Sequence, residues 1–295
     1  MPAASLLTYL KQLQRQGQTH IHVDAGARRT LRELYQRGSA QQNAPGAKEK
    51  ISTPPSPSQF SSPTSSEPGQ TSFLQSGEPI QIETSGNTAA EKIASLVALC
   101  AADPRPLALG TLRSTMVFSA GNPQADLMLV GEGPGYQEEM QKAPFVGPAG
   151  QKLDAILKTM GLSRQAVYLS NVCKFRPGMK NQTTGNRKPT PQEMATTLPY
   201  LREEIDVVKP KVIVALGATA AEGLLETRHP VGKLRGEWHQ FQGIPLRVTY
   251  HPSYLLHSGE GLTEKRKLWE DMLAVMERLK IPISEKQRRF FLPKN

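Results

Sequence analysis

Residues 127–130 are Leu-Met-Leu-Val, and they lead directly into Gly-Glu-Gly-Pro-Gly at 131–135. Four consecutive apolar residues that end at a glycine-rich turn are typical of a strand buried on both faces. Three later runs have the same character, at 167–170, 212–216 and 246–250. The chain is therefore predicted to contain four buried strands.

Helical patterns of apolar residues separate these strands, at 150–160, 190–208 and 218–225, and a last amphipathic helix is predicted at 263–279. Thr88 and Glu91 have the spacing of a capping box that opens a helix before the first strand. Strands that alternate with helices favour a parallel sheet covered on both faces. We therefore predict an α/β fold, a three-layer α/β/α domain with a central four-stranded parallel sheet, over residues 88–281.

Composition divides the rest of the 295-residue chain. Residues 1–38 carry leucines at helical spacing and are predicted to form a small N-terminal helical segment. Residues 39–87 are rich in Ser and Pro, with too few apolar residues to offset the entropy of ordering, and are predicted to be a disordered linker. Residues 282–295 form a basic C-terminal tail.

The charge balance indicates an anionic partner. The chain has 36 Lys and Arg against 26 Asp and Glu, a formal charge of +10, and nucleic acid is the leading candidate. The sequence contains no uninterrupted apolar run of about 18 residues, which excludes a membrane span. The N-terminus does not have the pattern of a secretory signal. Two cysteines are too few for a disulfide framework, which fits a reducing cytosol. We expect a cytoplasmic monomer without a membrane partner.

The strand ends are the expected place for a ligand, because open parallel sheets bind ligands outside the carboxyl ends of their strands. The turn at 131–135 fits neither the dinucleotide fingerprint nor a phosphate P-loop, and a tight loop with a solvated Glu132 explains it equally well. His251 precedes a proline, where a structural turn residue is common. Its predicted position opposite Glu132 and Asn171 makes a catalytic role equally favoured.

Eight short motifs, taken in their order along the chain, resemble the uracil-DNA glycosylase superfamily, most closely its family 4. They are Gly-Glu-Gly-Pro-Gly at 131–135, Pro-Phe-Val-Gly-Pro-Ala-Gly at 144–150, Asn-Val at 171–172, Lys-x-Arg-Pro at 174–177, Asn-Arg-x-Pro at 186–189, Pro-Tyr-Leu at 199–201, Arg-Gly at 235–236 and His-Pro-Ser at 251–253. The resemblance covers residues 88–279. It implies an enzyme that flips deoxyuridine out of DNA, hydrolyses the N-glycosidic bond and leaves an abasic site.

The resemblance also implies the roles of individual residues. Uracil binding is expected of Gly133, Phe145 and Asn171, with Phe145 as the stacking platform and the Asn171 carboxamide reading the edge of the base. His251 would donate to a carbonyl oxygen of the leaving uracil anion. Glu132, the carboxylate next to the Gly133 slot where better-known relatives carry Asp, would position water or stabilise the sugar cation. The catalytic set is thus Glu132, Asn171 and His251. Glu138 and Glu139 are alternatives, more readily explained as solvated helix charges.

Contacts to DNA are expected from residues on or near the strand-end loops, namely Lys174, Arg176, Asn186, Arg187, Lys188, Arg235, Ser253 and Tyr254. The substrate would be uracil-containing DNA, single- or double-stranded. Residues 179–184 resemble an insertion, which leaves the role of Asn186 doubtful. The alternative function, from a different class, is a non-catalytic module that binds uracil or damaged DNA and recruits partners.

Family 4 typically holds a four-cysteine iron–sulfur cluster, and this chain departs from that pattern. Cys100 matches the first ligand, but Asp103, Phe175 and Thr197 stand at the other three positions. Phe provides no ligand at all, and iron–sulfur clusters are held by thiolates. We therefore expect an enzyme without cofactor or metal. A lysine suited to Schiff-base chemistry is missing from the motifs, which favours a monofunctional enzyme.

Overall fold

The computed structural model describes residues 82–257 and 261–292, except for the side chains of residues 256 and 257. The predicted N-terminal segment at 1–38, most of the predicted linker and the last three residues of the tail lie outside the described residues. Within the described ranges, every helix is too short or too polar to cross a membrane.

Strands of the described residues form one large sheet and one small sheet. They are β1 (Leu112–Met116), β2 (Ala120–Gly121), β3 (Leu127–Gly131), β4 (Tyr168–Asn171), β5 (Phe175–Pro177), β6 (Val212–Leu216), β7 (Trp238–Phe241) and β8 (Ile244–Thr249). The large sheet has the order β2-β4-β3-β6-β8-β7, and β1 pairs with β5 in the small one. The four central strands run parallel, as predicted. Both edge strands are antiparallel additions that the sequence analysis did not foresee.

Helices connect the strands and cover the sheet. They are α1 (Ala89–Ala102), α2 (Arg105–Ala108), α3 (Tyr136–Gln141), α4 (Pro148–Met160), α5 (Pro191–Val208), α6 (Ala218–Leu225), α7 (Val231–Leu234), α8 (Tyr254–His257), α9 (Leu262–Arg278) and α10 (Glu285–Arg288). The predicted capping box is present, since the Thr88 hydroxyl accepts from Glu91 N–H at the start of α1.

Alternate residues of the central strands enter two separate cores. In β3, Met128 and Val130 pack on one face with α1, α5 and α6. Leu127 and Leu129 pack on the other face with α4 and α9. Such two-sided burial requires continuous apolar strands. The three-layer α/β/α architecture is therefore confirmed.

Residues 82–87, which the sequence analysis assigned to the linker, contact the folded body. Ile82 packs against the first core. The backbone N–H of Ser85 donates to Ser95 Oγ over 3.1 Å, and the Thr84 hydroxyl donates to Glu203 over 3.3 Å. The linker assignment was too long at this end, because polar residues that anchor a chain by hydrogen bonds have the same composition as disordered ones.

The strand registers bring the predicted site residues to one edge of the sheet. Gly131 pairs with Asn171 across β3 and β4, and Val130 pairs with Ala215 across β3 and β6. Leu216 of β6 pairs with Thr249 of β8, two residues before His251. The loops that follow all four central strands therefore begin side by side.

Candidate active site

A cavity of about 330 Å³ opens at the carboxyl ends of the central strands, a size typical of small-ligand sites. Its walls come from the loops after β3, β4, β6 and β8 and from the segment before α5. The predicted site residues that line it are Glu132, Gly133, Phe145, Asn171, Asn186, Arg187, His251 and Ser253. Four other predicted residues, Lys174, Arg176, Arg235 and Tyr254, are not part of this lining.

Phe145 lies in the cavity wall in an unusual backbone conformation. Its φ of 56° is in the left-handed region, which β-carbon-bearing residues seldom occupy. Arg164 holds this conformation by donating to the carbonyl oxygens of Phe145 and Pro144 over 2.7 and 2.6 Å. A Cβ at Gly150 would lie 1.8 Å from the Phe145 carbonyl oxygen, so only glycine fits there. The loop is thus built to fix the aromatic ring.

Asn171 ends β4 with its side chain at the cavity. The residue is 3% exposed, and its carboxamide makes no hydrogen bond to another described residue. A Cβ at Gly131 would lie 2.5 Å from both Asn171 Oδ1 and Phe145 Cζ, so this glycine allows the amide and the ring to approach each other. A buried amide without a protein partner is available for a polar ligand.

His251 follows β8 and is held by Ser253. The backbone N–H of Ser253 donates to His251 Nδ1 over 3.2 Å, and Ser253 Oγ lies 2.7 Å from the same nitrogen. Burial lowers the pKa of His251 to about 4, so the ring is neutral at neutral pH. Because Nδ1 accepts, the proton of the neutral ring is on Nε2, which makes Nε2–H a donor. The ring centroid lies 6.3 Å from that of Phe145.

Glu132 follows β3 and is tied to the loop after β6. The Thr219 hydroxyl, on the first turn of α6, donates to Glu132 Oε2. Burial raises the pKa of Glu132, while the hydrogen bond from Thr219 and the positive charge of Lys188 oppose this shift. Glu132 is therefore a partly buried, hydrogen-bonded carboxylate, and its interpretation as a solvated loop residue is wrong.

Glu138 and Glu139 are engaged inside the protein, so the expectation that they are solvated helix charges was wrong. Glu138 accepts from the backbone N–H groups of Val146 and Gly147 over 3.0 and 2.8 Å and thereby fixes the loop that carries Phe145. Glu139 pairs with Arg113 and Arg176. Burial raises the pKa of Glu139, but hydrogen bonds from these arginines outweigh it and lower the pKa.

Lys174 and Arg176 are buried and ion-paired, so the structure does not support the DNA contacts predicted for them. Lys174 is fully buried and donates to Glu204 and to Ser170 Oγ. Arg176 is 2% exposed and pairs with Glu139 over 2.8 Å. A buried, ion-paired side chain cannot neutralise a phosphate without leaving its partner unpaired.

The same buried arginine organises the inserted segment. Arg176 donates to the carbonyl oxygens of Thr183 and Gly185 over 3.1 and 2.7 Å and to Asn186 Oδ1 over 2.9 Å. With Oδ1 occupied, Asn186 Nδ2 lies against Gly135 in the cavity wall. The insertion is thus compatible with a place for Asn186 in the site.

Arg187 and Arg235 are also committed to intramolecular pairs. Arg187 donates to both carboxylate oxygens of Glu193 over 2.6 and 2.8 Å at the cavity rim. Arg235 is only 13% exposed and pairs with buried Asp271 over 3.0 Å, away from the cavity, which corrects its predicted DNA contact. Tyr254 is 47% exposed and stacks on Tyr250.

Three more residues line the cavity: Lys188, which the sequence placed among the expected phosphate contacts, Glu138, which was an alternative carboxylate, and Thr219, which had no predicted role. Lys188 lines the rim with a side chain that is 53% exposed and lies 3.4 Å from Glu222. Thr219 belongs to a strand end that the topology rule singles out. The sequence did not reveal that Glu138 accepts hydrogen bonds from the backbone, because a carboxylate that caps backbone N–H groups has the same sequence pattern as a solvated one.

The residues at the four cluster positions do not fit an iron–sulfur cluster. Asp103 is paired with Arg105 and accepts from the Tyr200 hydroxyl over 3.0 Å. The Thr197 hydroxyl donates to the Val172 carbonyl oxygen over 2.8 Å. Burial raises the pKa of the Cys100 thiol to about 12, which disfavours a thiolate ligand. Residues 82–257 and 261–292 contain no group of three or more His, Cys, Asp or Glu side chains that could hold a metal ion.

Comparison with known proteins identifies relatives of the chain. Residues 118–273, more than half of the chain, match the model of the uracil DNA glycosylase superfamily. A type-4 uracil-DNA glycosylase of Thermotoga maritima is 38% identical over 172 residues, which are 57% of this chain and 83% of that protein. A type-4 enzyme of Pyrobaculum aerophilum is 34% identical over 84% of its length and 56% of this chain. A type-4 enzyme of Sulfurisphaera tokodaii is also 34% identical, over 76% of its length and 57% of this chain.

Proposed function

Because the chain belongs to the uracil-DNA glycosylase superfamily, we propose that it is a monofunctional uracil-DNA glycosylase acting in base excision repair. It hydrolyses the N-glycosidic bond of deoxyuridine in DNA, releases uracil and leaves an abasic site. The observation that carries this proposal is the convergence of Glu132, Phe145, Asn171 and His251 on one cavity.

Recognition of uracil follows from the unpaired groups of the cavity. A flipped base stacks on Phe145, a contact worth about 1–3 kcal/mol. The free carboxamide of Asn171 gives one donor and one acceptor to the uracil edge. Cytosine presents the opposite pattern at its amino group and ring nitrogen, so its entry leaves buried polar groups unpaired.

The chemistry is assigned to two groups on opposite sides of the bond. As the bond between C1′ and N1 breaks, its electron pair passes to uracil, and His251 Nε2–H donates to the carbonyl oxygen that gains negative charge. The sugar becomes oxocarbenium-like. Water attacks C1′, and its proton passes to the Glu132 carboxylate, which also stabilises the cationic sugar before the attack. Glu132 must therefore be ionised and His251 neutral.

DNA contacts are assigned to exposed groups around the cavity. Lys188 at the rim keeps the phosphate role expected of it, since its side chain is half exposed, whereas Lys174 and Arg176 are buried. Ser253 and Tyr254 follow His251 and are suited to enter the minor groove and fill the vacated stack. Single- and double-stranded DNA are both substrates in this proposal.

The proposal extends to the state of the protein. The enzyme works without an iron–sulfur cluster, because three of the four ligand positions lack a cysteine and the thiol at the fourth, Cys100, is buried. It acts as a cytoplasmic monomer, in agreement with the two free thiols, Cys100 and Cys173. Residues 1–81 contribute no catalytic side chain.

An alkali-dependent nicking assay on an oligonucleotide with one deoxyuridine tests the proposal. We expect strand cleavage only after alkali treatment, and none with thymidine opposite adenine at the same position. Uracil-DNA binding without alkali-labile sites would favour the non-catalytic binding module. Cleavage without alkali would contradict the monofunctional assignment.

A further inference from the structure

The turn formed by the end of β6, Gly217 and the start of α6, residues 216–219, has no role in the reaction described above, although all four residues line the cavity. It follows the central strand β6, which lies between the strands that carry Glu132 and His251. The turn therefore stands between the two groups that act on opposite sides of the scissile bond.

Thr219 makes the direct contact with Glu132. Thr219 is 2% exposed, and its hydroxyl donates to Oε2 of Glu132, which lies 87 residues earlier in the sequence. A threonine in a helix commonly donates to a carbonyl of the preceding turn, as Thr159 does to Ala155 over 2.7 Å. Thr219 is at the helix start, and its hydroxyl is directed to the carboxylate instead.

This contact leaves the two carboxylate oxygens in different environments. Oε2 is held by Thr219, whereas Oε1 has no hydrogen-bond partner among the described residues. A carboxylate with one oxygen fixed has lost the freedom to rotate about its last bond. The free oxygen is then held in a defined direction at the cavity.

Gly217 in the same turn contacts His251. Its φ of 92° is in the region that favours glycine, and a Cβ there would lie 3.0 Å from His251 Cβ. The turn therefore packs closely against His251 while it holds Glu132. One rigid segment at the end of a buried strand determines the spacing of both groups.

We propose that Thr219 is a positioning residue that fixes the Glu132 carboxylate, so that Oε1 is aimed at the water or at the sugar cation. The inference rests on the proposed function, since it gives Thr219 a role only through Glu132. Thr219 touches neither the base nor the reacting atoms.

The hydroxyl also affects the ionisation of the carboxylate. A donor to a carboxylate favours its charged form, so loss of the hydroxyl raises the pKa of Glu132 further. The other ionisable side chains around the cavity are Glu138, Arg187, Lys188 and His251. Because the reaction needs ionised Glu132, the acid limb of the rate profile moves to higher pH when the hydroxyl is removed.

Single-turnover rates of uracil excision by the full-length protein test the inference. Thr219→Val keeps the shape and removes the hydroxyl, and Thr219→Ala is a second variant without it. Both are expected to slow excision by roughly 10- to 100-fold and to shift the acid limb to higher pH. Thr219→Ser keeps the hydroxyl donor, and its excision rate is expected to stay within about threefold of wild type with an unshifted acid limb. Thr196→Val, which removes a hydroxyl bonded within α5, is the matched control without effect.

A double-mutant cycle separates positioning from a general structural effect. If Thr219 acts through Glu132, Thr219→Val has no further effect in a Glu132→Gln background. An equal loss in both backgrounds, or wild-type rate and pH profile in Thr219→Val, would overturn the inference while the proposed function stands. A fully active Glu132→Gln would remove both the role of Glu132 and this inference. Absence of excision by the wild type would instead overturn the proposed function itself.

Discussion

Asn171 ends β4 and His251 follows β8, two strands that β3 and β6 separate in the same sheet, and the two side chains have complementary hydrogen-bonding states. The Asn171 carboxamide borders the cavity and has no hydrogen-bond partner among the described residues, and His251 is a neutral donor through Nε2. A preorganised donor costs little reorganisation when charge develops on the leaving base. These two residues are therefore the most sensitive points of the proposed site.

Truncation of either side chain tests this assignment. Asn171→Ala and His251→Ala are each expected to slow single-turnover excision by about 10²–10³-fold, because each removes a donor that faces the base. Affinity for duplex DNA without uracil should change little, since neither group faces the phosphates. Near-normal excision by one of these variants would remove that residue from the site.

His251 is expected to be neutral in the free protein. Its pKa of about 4 lies below the ordinary value for histidine, so the ring is neutral from about pH 5 upward. Imidazole ¹⁵N shifts of the free protein should show a neutral ring with the proton on Nε2 at neutral pH. A charged ring, or a proton on Nδ1, would contradict the tautomer that the Ser253 N–H imposes.

The sequence predicted the cavity residues at strand ends but not the state of the basic residues. Glu132, Asn171 and His251 each follow a buried strand, and parallel strands end at a common edge. Lys174 looks equally accessible in the sequence, but its partner Glu204 is 30 positions away and both are fully buried. Charge alone does not indicate burial, because long-range pairing decides it.

At the scale of elements, a buried polar network joins the loop after β4 to α5. Lys174 donates to Glu204, which also accepts from the hydroxyls of Tyr168 and Ser170, each over 2.9 Å. The Lys174 ammonium lies 4.5 Å from the ring centroid of Phe118. Every member is hydrogen-bonded, so the network holds the elements that place Asn171 beside the cavity.

Breaking this network is expected to destabilise the protein strongly. Glu204→Gln leaves the Lys174 charge buried without its counter-ion, which typically costs about 3–5 kcal/mol. Glu226→Gln is the matched control, because Glu226 pairs with Arg202 at the surface, where such pairs contribute about 0–1 kcal/mol. Urea unfolding followed by circular dichroism measures both. Equal midpoints for the two variants would contradict the account of the network.

The central strands were predictable because burial on both faces leaves a continuous apolar run, as in β3 and β6. The edge strands leave weaker signals. β2 has two residues, and β7 has one buried residue among four. Their pairing depends on a neighbouring strand instead of a local pattern.

The whole chain combines the superfamily fold with three cluster positions that carry no thiol. Phe175 is buried in the first core, and Asp103 and Thr197 make hydrogen bonds of their own. Apolar packing and polar pairs thus occupy the places where a metal cluster would link segments of the chain.

The protein is therefore expected to purify without iron. Anaerobically prepared protein should be colourless, without absorbance near 400 nm and without stoichiometric iron. Cys100→Ser should leave the spectrum and the activity unchanged, since the thiol is buried and protonated. A brown preparation whose colour disappears in this variant would contradict the expectation.

The central claim is that one cavity selects uracil and removes it by hydrolysis. Chromatographic measurement of free base from matched oligonucleotides that contain uracil or cytosine tests it most directly. We expect one free uracil for each abasic site formed, no free cytosine, and uracil release slowed by about 10²-fold or more in Asn171→Ala. Absence of free uracil from the wild-type reaction, or equal release of cytosine, would contradict it.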